Sequence, residues 1–409
     1  MRGQKIQLTE TGLLLSCVRA FFDAQSDEAL RASISEGVNW PLLLDMADKH
    51  GLIPILYLTV SRCASDLIPE AVLKGLEQSL HENTRRCLHL TGRLLKLLDL
   101  FETHSIEALA LKGPALADSA YGSLALRQFS DLDILIHARD LLKVKEILAS
   151  ERYVPQAELT EAQYVALQRY NCEILFSSAD GNIFLDMHWG LLPPQFNFTV
   201  TADELWHERR RTASDNASLP VLSPEDTILF LCAHGAKHLW RRLEWVCSIG
   251  GFIRNLQAQI DWQSLFKKAR DASAERRLLL GLLLVEKFLG IKLPDEVQTE
   301  WAAKGSVAVA VDEVLAEFLT GQTGEPSQKE IFIFNLKVMD GAKDALLCLW
   351  RSIFVPTLPD LLVIRLPATL LPLYYVARAC RLAGKYFCKA AALFSHRSTE
   401  AELEASIPS

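Results

Sequence analysis

The hydrophobic pattern of the chain changes near residue 105 and changes back near residue 200, which limits the chain to a small sheet between helical regions. Before residue 105, apolar side chains recur at the three- and four-residue spacing of helices. Between about 100 and 195, short apolar runs alternate with turn-forming residues, as in strands. Helical spacing then returns. The sequence therefore predicts an α+β fold with a small mixed sheet flanked by N- and C-terminal helical regions.

The 409 residues are enough for two or three domains. We predict an N-terminal helical region, a central α+β domain, a C-terminal helical region and a loose tail, over 1–78, 79–205, 206–395 and 396–409. The central domain begins with a long amphipathic helix from about 79. Its strands are predicted at 108–111, in "SDLDILIH", and in a hairpin of "NCEILFSS" and "IFLDMHWGL" around the turn "ADGN". Later helices are predicted at 262–271, 275–289, 308–320 and 365–395.

The composition of the chain limits which classes of partner and which cellular compartment we expect. The net charge of −7 argues against a nucleic-acid partner for the chain as a whole. The basic run "HERRRT" at 207–212 is interpreted as a solvated linker. The nine cysteines are scattered without a CxxC pair, and the N-terminus has no cleavage-like site, so we expect a reduced, cytoplasmic protein.

The apolar stretch 361–380, "LLVIRLPATLLPLYYVARAC", is a segment of the sequence close to a membrane-spanning helix in composition. Arg365 and Arg378 limit its uncharged part to about a dozen residues, short of the roughly 20 that a spanning helix needs. We interpret it as a buried or surface-docking helix, and contact with a membrane surface is an alternative that is not favoured. The basic stripe of Arg378, Arg381 and Lys385 is interpreted as a solvated face, and contact with an anionic lipid or polymer is the alternative.

Two aspartates interrupt the apolar run "SDLDILI". Side chains at i and i+2 of a strand share a face, so Asp131 and Asp133 place two carboxylates about 7 Å apart. Like charges this close repel unless a cation lies between them. Oxygen ligands favour Mg²⁺ or Mn²⁺. The plainer interpretation is a strand end with two solvated acids.

A third acid, Asp186, occurs inside the apolar strand "IFLDMHWGL". Three carboxylates on neighbouring strands can hold two metal ions about 4 Å apart, the arrangement that supports in-line phosphoryl displacement. Glu173 in "NCEILF" is an alternative third carboxylate. Asp186 is preferred because its strand is more apolar on both sides.

The segment "ALKGPAL" precedes the acids and predicts a strand-to-helix turn. Gly113 would let the backbone approach a phosphate at the N-terminus of the helix. Lys112 and Arg127 could add cations to the same triphosphate. Pro114 removes one backbone N–H donor from this turn, which weakens the expected phosphate contact.

"AHGAKHLWRRLEW" places His234 and His238 four residues apart on one helix face. The segment lacks the glutamate of HExxH, and His188 could be a third ligand only if the fold brings it close, so zinc is not favoured. Core or hydrogen-bonding histidines are one interpretation. In another, these histidines, Lys237 and Arg241 contact a nucleotide or acceptor across a cleft.

The order of these elements resembles the nucleotidyltransferase superfamily of the DNA polymerase beta type. More closely, the chain resembles a bacterial family of uncharacterised nucleotidyltransferases. The resemblance covers about 85 to 390 and rests on "LKGPALADSAYG", "LRQFSDLDILI", "FLDMHWGL", "AHGAKHLWRRLEWV" and "LPATLLPLYYVARACRLAGKYF". It implies Mg²⁺-dependent transfer of a nucleoside monophosphate from an NTP, such as ATP, to an acceptor, with release of pyrophosphate.

The resemblance also implies residue roles. Asp131 and Asp133 would bind both metals, and Asp186 would bind the catalytic metal and help deprotonate the acceptor hydroxyl. Lys112 and Gly113 would hold the triphosphate. The full set of candidate nucleotide-binding residues is Lys112, Gly113, Arg127, Ser130, His234, Lys237 and His238.

The acceptor is expected to be a small molecule or a protein or peptide. An alternative from another class is a catalytically weak binding or regulatory module with the same fold. Pro114 fits this alternative, as does Ser248, because the family often has an acid near that position. Transfer of the γ-phosphate is disfavoured, since the chain has no Walker motif and no kinase HRD set.

Overall fold

A computed structural model describes residues 2–200, 202–212, 218–303, 307–320 and 326–385 of the chain. The predicted α+β class is confirmed, because these residues form one mixed, open sheet with helical regions on both sides of it in sequence. The predicted loose tail and the last ten residues of the predicted final helix lie outside the described residues.

Five helices precede the sheet. They are α1 (Arg2–Phe22), α2 (Asp27–Ser35), α3 (Trp40–Lys49), α4 (Ile53–Cys63) and α5 (Glu70–Thr103). The start of α3 follows from local chemistry, since the Asn39 side chain accepts a hydrogen bond from the Leu42 amide and Pro41 lies in the first turn. The long helix α5 begins at Glu70 rather than at about residue 79, so it crosses the predicted domain boundary.

The central domain alternates short strands and helices. In chain order these are β1 (Ala108–Ala110), α6 (Gly113–Tyr121), β2 (Asp131–Ile136), α7 (Leu141–Ser150), β3 (Tyr153–Pro155), α8 (Glu161–Tyr170), β4 (Glu173–Ser178) and β5 (Phe184–His188). The predicted hairpin is present, since β4 and β5 pair antiparallel.

Two further short strands, β6 (Arg210–Arg211) and β7 (Pro220–Val221), complete the sheet, whose order is β3-β4-β5-β2-β1-β7-β6. Its centre is β2, which pairs antiparallel with β1 and parallel with β5. Strands β6 and β7 follow helix α9 (Ala202–His207) in the chain. The sheet thus continues beyond the predicted boundary at 205, and part of the expected linker 207–212 is an edge strand.

The C-terminal region is helical. Its helices are α10 (Pro224–Lys237), α11 (Leu243–Leu256), α12 (Trp262–Asp271), α13 (Glu275–Leu284), α14 (Asp295–Ala303), α15 (Ala308–Leu319), α16 (Gln328–Lys337), α17 (Ala342–Phe354) and α18 (Leu358–Val363). A π-helical turn over Val285–Leu289 extends α13. Helix α10 begins after Ser223, because the Ser223 hydroxyl accepts a hydrogen bond from the Asp226 amide.

The predicted helix 365–395 is wrong at its start. Residues Ala368–Leu370 form a 3₁₀ turn, and the last described helix covers only 373–385. Pro367 and Pro372 explain the difference. A proline inside a helix has no N–H for the helical hydrogen bond, and it disfavours helical geometry in the residue before it.

Two large cores organise the chain. The first joins the N-terminal helices to α10–α15, with Leu14 and Leu56 packed in the same cluster as Leu280 and Leu284. The second lies on one face of the sheet under α7 and α8, and includes Tyr374 from the last described helix. Helix α5 contributes to both, since Leu76 lies in the first core and its later leucines lie in the second. The predicted domain boundaries remain predictions.

One segment among the described residues, Ala342–Val363, is long and apolar enough to cross a membrane by length and composition alone, with 28% of its apolar window buried. It differs from the stretch 361–380 that the sequence singles out. The segment is two helices rather than one, because the backbone leaves helical geometry between Phe354 and Leu358, around Pro356.

Candidate active site

Strand pairing brings the predicted acids together. Strands β2 and β5 are parallel, and Asp133 lies directly opposite Asp186. Asp131 is two residues before Asp133, and His188 is two residues after Asp186, so all four side chains share one face of the sheet. The alternate residues, such as Ile134 and Met187, are buried in the core on the other face. Period-two alternation therefore places polar groups on one face only.

This face forms the floor of a cavity of about 760 Å³ between the sheet and the C-terminal helices. Nine of the ten candidate residues line it: Lys112, Arg127, Ser130, Asp131, Asp133, Asp186, His234, Lys237 and His238. Gly113 is buried and is not among the lining residues. Residues more than 100 positions apart in sequence thus meet in one cleft.

Asp133 is the most deeply buried acid of the floor and already contacts a cation. Lys112 Nζ lies 2.8 Å from Asp133 Oδ1, and both side chains are largely buried. Burial raises the pKa of Asp133, but Lys112 and His188 outweigh it and hold that pKa well below its ordinary value. In turn, burial lowers the pKa of Lys112 and Asp133 raises it, with a net increase. Both groups are charged at neutral pH.

His188 connects the acids of the floor. Its Nε2 lies 3.4 Å from Asp133 Oδ1, and its Nδ1 lies 3.3 Å from Glu173 Oε2. Lys237 Nζ lies 3.6 Å from the other oxygen of Glu173. Burial lowers the pKa of His188, but the neighbouring Asp133 and Glu173 raise it by more. The pKa of His188 therefore lies above its ordinary value. The sequence identified Glu173 only as an alternative metal ligand; here it is the link between His188 and Lys237.

Asp186, unlike Asp133, has a pKa above its ordinary value. Burial and, next, the charge of Asp133 raise its pKa to about 6. Ligand atoms of Asp133, Asp186 and His188 lie within 4.8 Å of one another, a spacing that could hold a metal ion. Asp131 lines the same cavity but lies outside this closest group. His188 was not predicted as a ligand beside the aspartates, although its i+2 spacing from Asp186 gave the signal.

These residues fit a hard divalent cation. The donors are chiefly carboxylate oxygens, which Mg²⁺ and Mn²⁺ prefer. Burial and the nearby charge of Asp133 raise the pKa of Asp186, which disfavours its ionised form. A divalent cation bound by both carboxylates would offset this unfavourable free energy. After loss of its proton, the imidazole of His188 would add a nitrogen donor that Mn²⁺ accepts more readily than Mg²⁺. Asp133 and Asp186, with His188 beside them, are the residues whose ligand atoms lie close enough together to hold such an ion.

Gly113 has a backbone role in the predicted phosphate turn. Its φ of +55° lies in the left-handed region, which glycine adopts without the strain other residues incur. Pro114 lies in the first turn of α6, where the missing N–H leaves no helical hydrogen bond unmade. The turn thus directs Lys112, the residue before α6, toward Asp133. Lys112 is the turn residue that reaches the cavity.

Arg127 is held by a residue that the sequence did not single out. Arg127 Nε donates to Glu244 Oε1 at 2.8 Å, and both side chains are buried. The same oxygen accepts a hydrogen bond from the Ser248 hydroxyl at 2.7 Å, and that hydroxyl lies 3.1 Å from the Tyr121 hydroxyl. Ser248 therefore supports an acid one helical turn earlier. An acid within the apolar helix "RLEWVCSIGG" was the available signal.

His234 and His238 are aromatic rather than cationic groups of the cavity wall. Their ring centroids are 4.8 Å apart and lie 5.7 and 5.5 Å from the ring of Trp245. Burial, then nearby cations, lower the pKa of His238 to about 4 and that of His234 well below its ordinary value. Both are neutral at physiological pH, and the wall they form with Trp245 suits an aromatic base.

The cavity is also lined by basic residues from outside the sheet. These are Lys49, Arg86, Lys237, Arg241 and Arg242. An anion entering the cleft would thus meet cations on the helices and acids on the sheet floor. This separation suits a polyphosphate whose negative oxygens are shared between protein cations and a metal.

The fold and site together define an α+β protein with a carboxylate floor and a basic wall. Residues 36–290, well over half of the chain, match the model of a family described as "Uncharacterised nucleotidyltransferase", and the chain belongs to that family. The match contains the three aspartates and the histidine helix. No curated protein and no solved structure matches the chain significantly.

Proposed function

We propose that this protein transfers a nucleoside monophosphate from an NTP to an acceptor hydroxyl, with Mg²⁺ or Mn²⁺, and releases pyrophosphate. The observation that carries the proposal is the placement of Asp133 opposite Asp186, with Asp131 on the same face, below a basic cleft. Membership of the nucleotidyltransferase family agrees with this chemistry. The acceptor is a small molecule or a protein or peptide, and the net charge of −7 disfavours a nucleic acid.

The metal, held by Asp131, Asp133 and Asp186, would neutralise phosphate charge and position the reacting oxygens. Asp186 also accepts the proton of the acceptor hydroxyl, since it lies beside the metal that would hold that oxygen. The acceptor oxygen bonds to the α-phosphorus while the bond from that phosphorus to the pyrophosphate oxygen breaks. Lys112 and Lys237 bind the departing phosphates.

Nucleotide binding divides between two walls of the cleft. The base packs against the neutral rings of His234, His238 and Trp245, which stack without adding charge. The triphosphate extends past Ser130 toward the cations. Arg127 contributes positive potential that Glu244 partly offsets, so we assign it a smaller share of phosphate binding than Lys112.

The experiment uses purified protein, Mg²⁺ and each NTP labelled at the α-phosphate, with cell extract as the acceptor pool. Asp133→Asn and Asp186→Asn should each reduce label transfer at least about a hundredfold. Asp180→Asn is the matched control, because Asp180 is an exposed acid in the turn between β4 and β5. Transfer that survives both floor substitutions would sink the metal assignment. In a parallel reaction with NTPs labelled at the γ-phosphate, label transfer without any transfer of the α-label would indicate a kinase.

A second candidate function is a catalytically weak binding module. The ion pair between Lys112 and Asp133 favours it, because a protein cation already neutralises one carboxylate that catalysis requires. Such a module would show no transfer with any NTP. Absence of Mg²⁺-dependent nucleotide binding in calorimetry, together with that result, would select it over the transferase.

A further inference from the structure

Helix α17 presents an apolar face to solvent. Leu346, Leu349, Trp350, Ile353 and Phe354 recur at three- and four-residue spacing, so they lie along one side of the helix. All five are exposed, from 38% for Phe354 to 66% for Leu346. Cys348, on the opposite side, is buried. Large exposed apolar groups that cluster in this way mark an interaction surface.

The apolar surface continues beyond α17. The ring of Trp350 on α17 lies 6.4 Å from the ring of Tyr375 on the last described helix. The two helices are therefore neighbours on this side of the molecule. Val376 on that helix is 58% exposed, and Val363 at the end of α18 is 64% exposed. We call the exposed apolar residues of 346–376 the C-terminal apolar surface. It lies outside residues 36–290, the part that matches the family model.

The charge around this surface is positive. Residues 341–385 contain six basic residues and only two acids, Asp344 and Asp360. Asp360 is buried and paired with Arg378 and Arg381. Asp344 accepts a hydrogen bond from Asn197 at 2.9 Å.

The outward charge therefore comes from basic side chains. Lys343, Arg365 and Lys385 are exposed on this segment, whereas the chain as a whole carries −7. Exposed acids do not occur among residues 341–385, all of which the structure describes.

We propose that the C-terminal apolar surface docks on the surface of an anionic phospholipid bilayer. Apolar and aromatic side chains with flanking lysine and arginine are the composition of helices that lie in the membrane interface. The break between α17 and α18 suits helices lying along the surface rather than one spanning helix. A second copy of the chain fits less well, because a two-fold contact would bring the same cations together.

The docking is independent of the proposed nucleotidyl transfer, since no residue of the cleft takes part in it. The test is sedimentation of the full chain with vesicles of phosphatidylcholine mixed with phosphatidylglycerol, beside vesicles of phosphatidylcholine alone. We expect binding to the anionic vesicles that weakens with added salt. Replacing Arg365 with Gln should weaken it about fivefold.

Leu346→Glu with Val363→Glu should abolish vesicle binding, because both side chains are among the most exposed of the surface. The matched control is Leu88→Glu with Val309→Glu, two apolar residues elsewhere that are 56% and 70% exposed. Equal binding of both double variants would overturn the proposal, as would failure of the wild-type chain to sediment. A wild-type dimer in light scattering that Leu346→Glu dissociates would also overturn it and assign the surface to self-association.

Discussion

Lys112 Nζ lies 2.8 Å from Asp133 Oδ1 at the floor of the cleft, where both side chains are almost fully shielded from water. An ammonium group thus occupies one side of the carboxylate that a metal would also use. The pair keeps Asp133 ionised although it is buried. It also places Lys112 close to any phosphate that a metal would bring to this floor.

Lys112→Met should reduce the free energy of unfolding by about 3 kcal/mol in the absence of metal, because it leaves a buried carboxylate without its cation. Adding Mn²⁺ should restore part of this loss. Urea unfolding with and without Mn²⁺ measures both effects. Lys237→Met is the control, since Lys237 lies 3.6 Å from the less buried Glu173 and should cost under about 1 kcal/mol. Equal losses in both variants would contradict the prediction.

Glu244→Gln should be among the most destabilising substitutions in the cleft, by about 3 kcal/mol, because the Arg127 charge would stay buried without its acid. Glu317→Gln is the matched control, because Glu317 lies 3.4 Å from Arg241 and its side chain is 32% exposed; for it we expect about 0.5 kcal/mol. Chemical denaturation of both variants beside the wild type tests this. A Glu244 variant as stable as the Glu317 variant would remove the assigned role.

Metal affinity should depend on pH through Asp186. The pKa of Asp186 is about 6 without metal, so below that pH a proton must leave before the carboxylate can bind a cation. The apparent Kd for Mn²⁺ should rise up to about tenfold per pH unit below 6 and change little from 7 to 8. Calorimetry across this range measures it. Asp186→Asn should bind more weakly without this proton release, and a flat wild-type profile would refute the assignment.

Stability should fall with acid through His50. Burial, then Arg242 and Lys49, lower its pKa to about 4, whereas the unfolded chain has an ordinary value near 6.5. The unfolded state therefore takes up the proton first, and the stabilisation is lost as pH falls from about 6.5 to 4. His50→Asn should lose about 3 kcal/mol less than wild type over this range. Parallel urea titrations at both pH values compare them, and equal slopes would count against His50.

The floor of the site could be predicted because it depends on local pattern. Acids in the apolar strands β2 and β5, together with the β4–β5 hairpin that "ADGN" predicts, place Asp133 and Asp186 on one sheet. The register that places Asp133 opposite Asp186 is known only from the pairing of β2 with β5 in the structure. The α+β class followed in the same way from the change of hydrophobic period.

The ion pairs of the cleft could not be predicted, because packing between distant helices sets them. Arg127 and Glu244 are 117 residues apart and meet only because α11 packs beside α6. The break near Pro367 was missed because apolar residues on either side keep a helical spacing. The apolar side of α17 has the composition of a core helix, and only its exposure in the fold distinguishes it.

Helix α5, 34 residues from Glu70 to Thr103, begins in one hydrophobic core and ends in the other. At 1.5 Å per residue it extends about 50 Å, so one continuous helix packs against both cores and fixes their relative positions. A protein expressed from residue 79 would lose the first turns of α5 and would expose apolar surface on the remaining helices. The cleft that carries the three aspartates is therefore best produced and engineered together with the N-terminal helices.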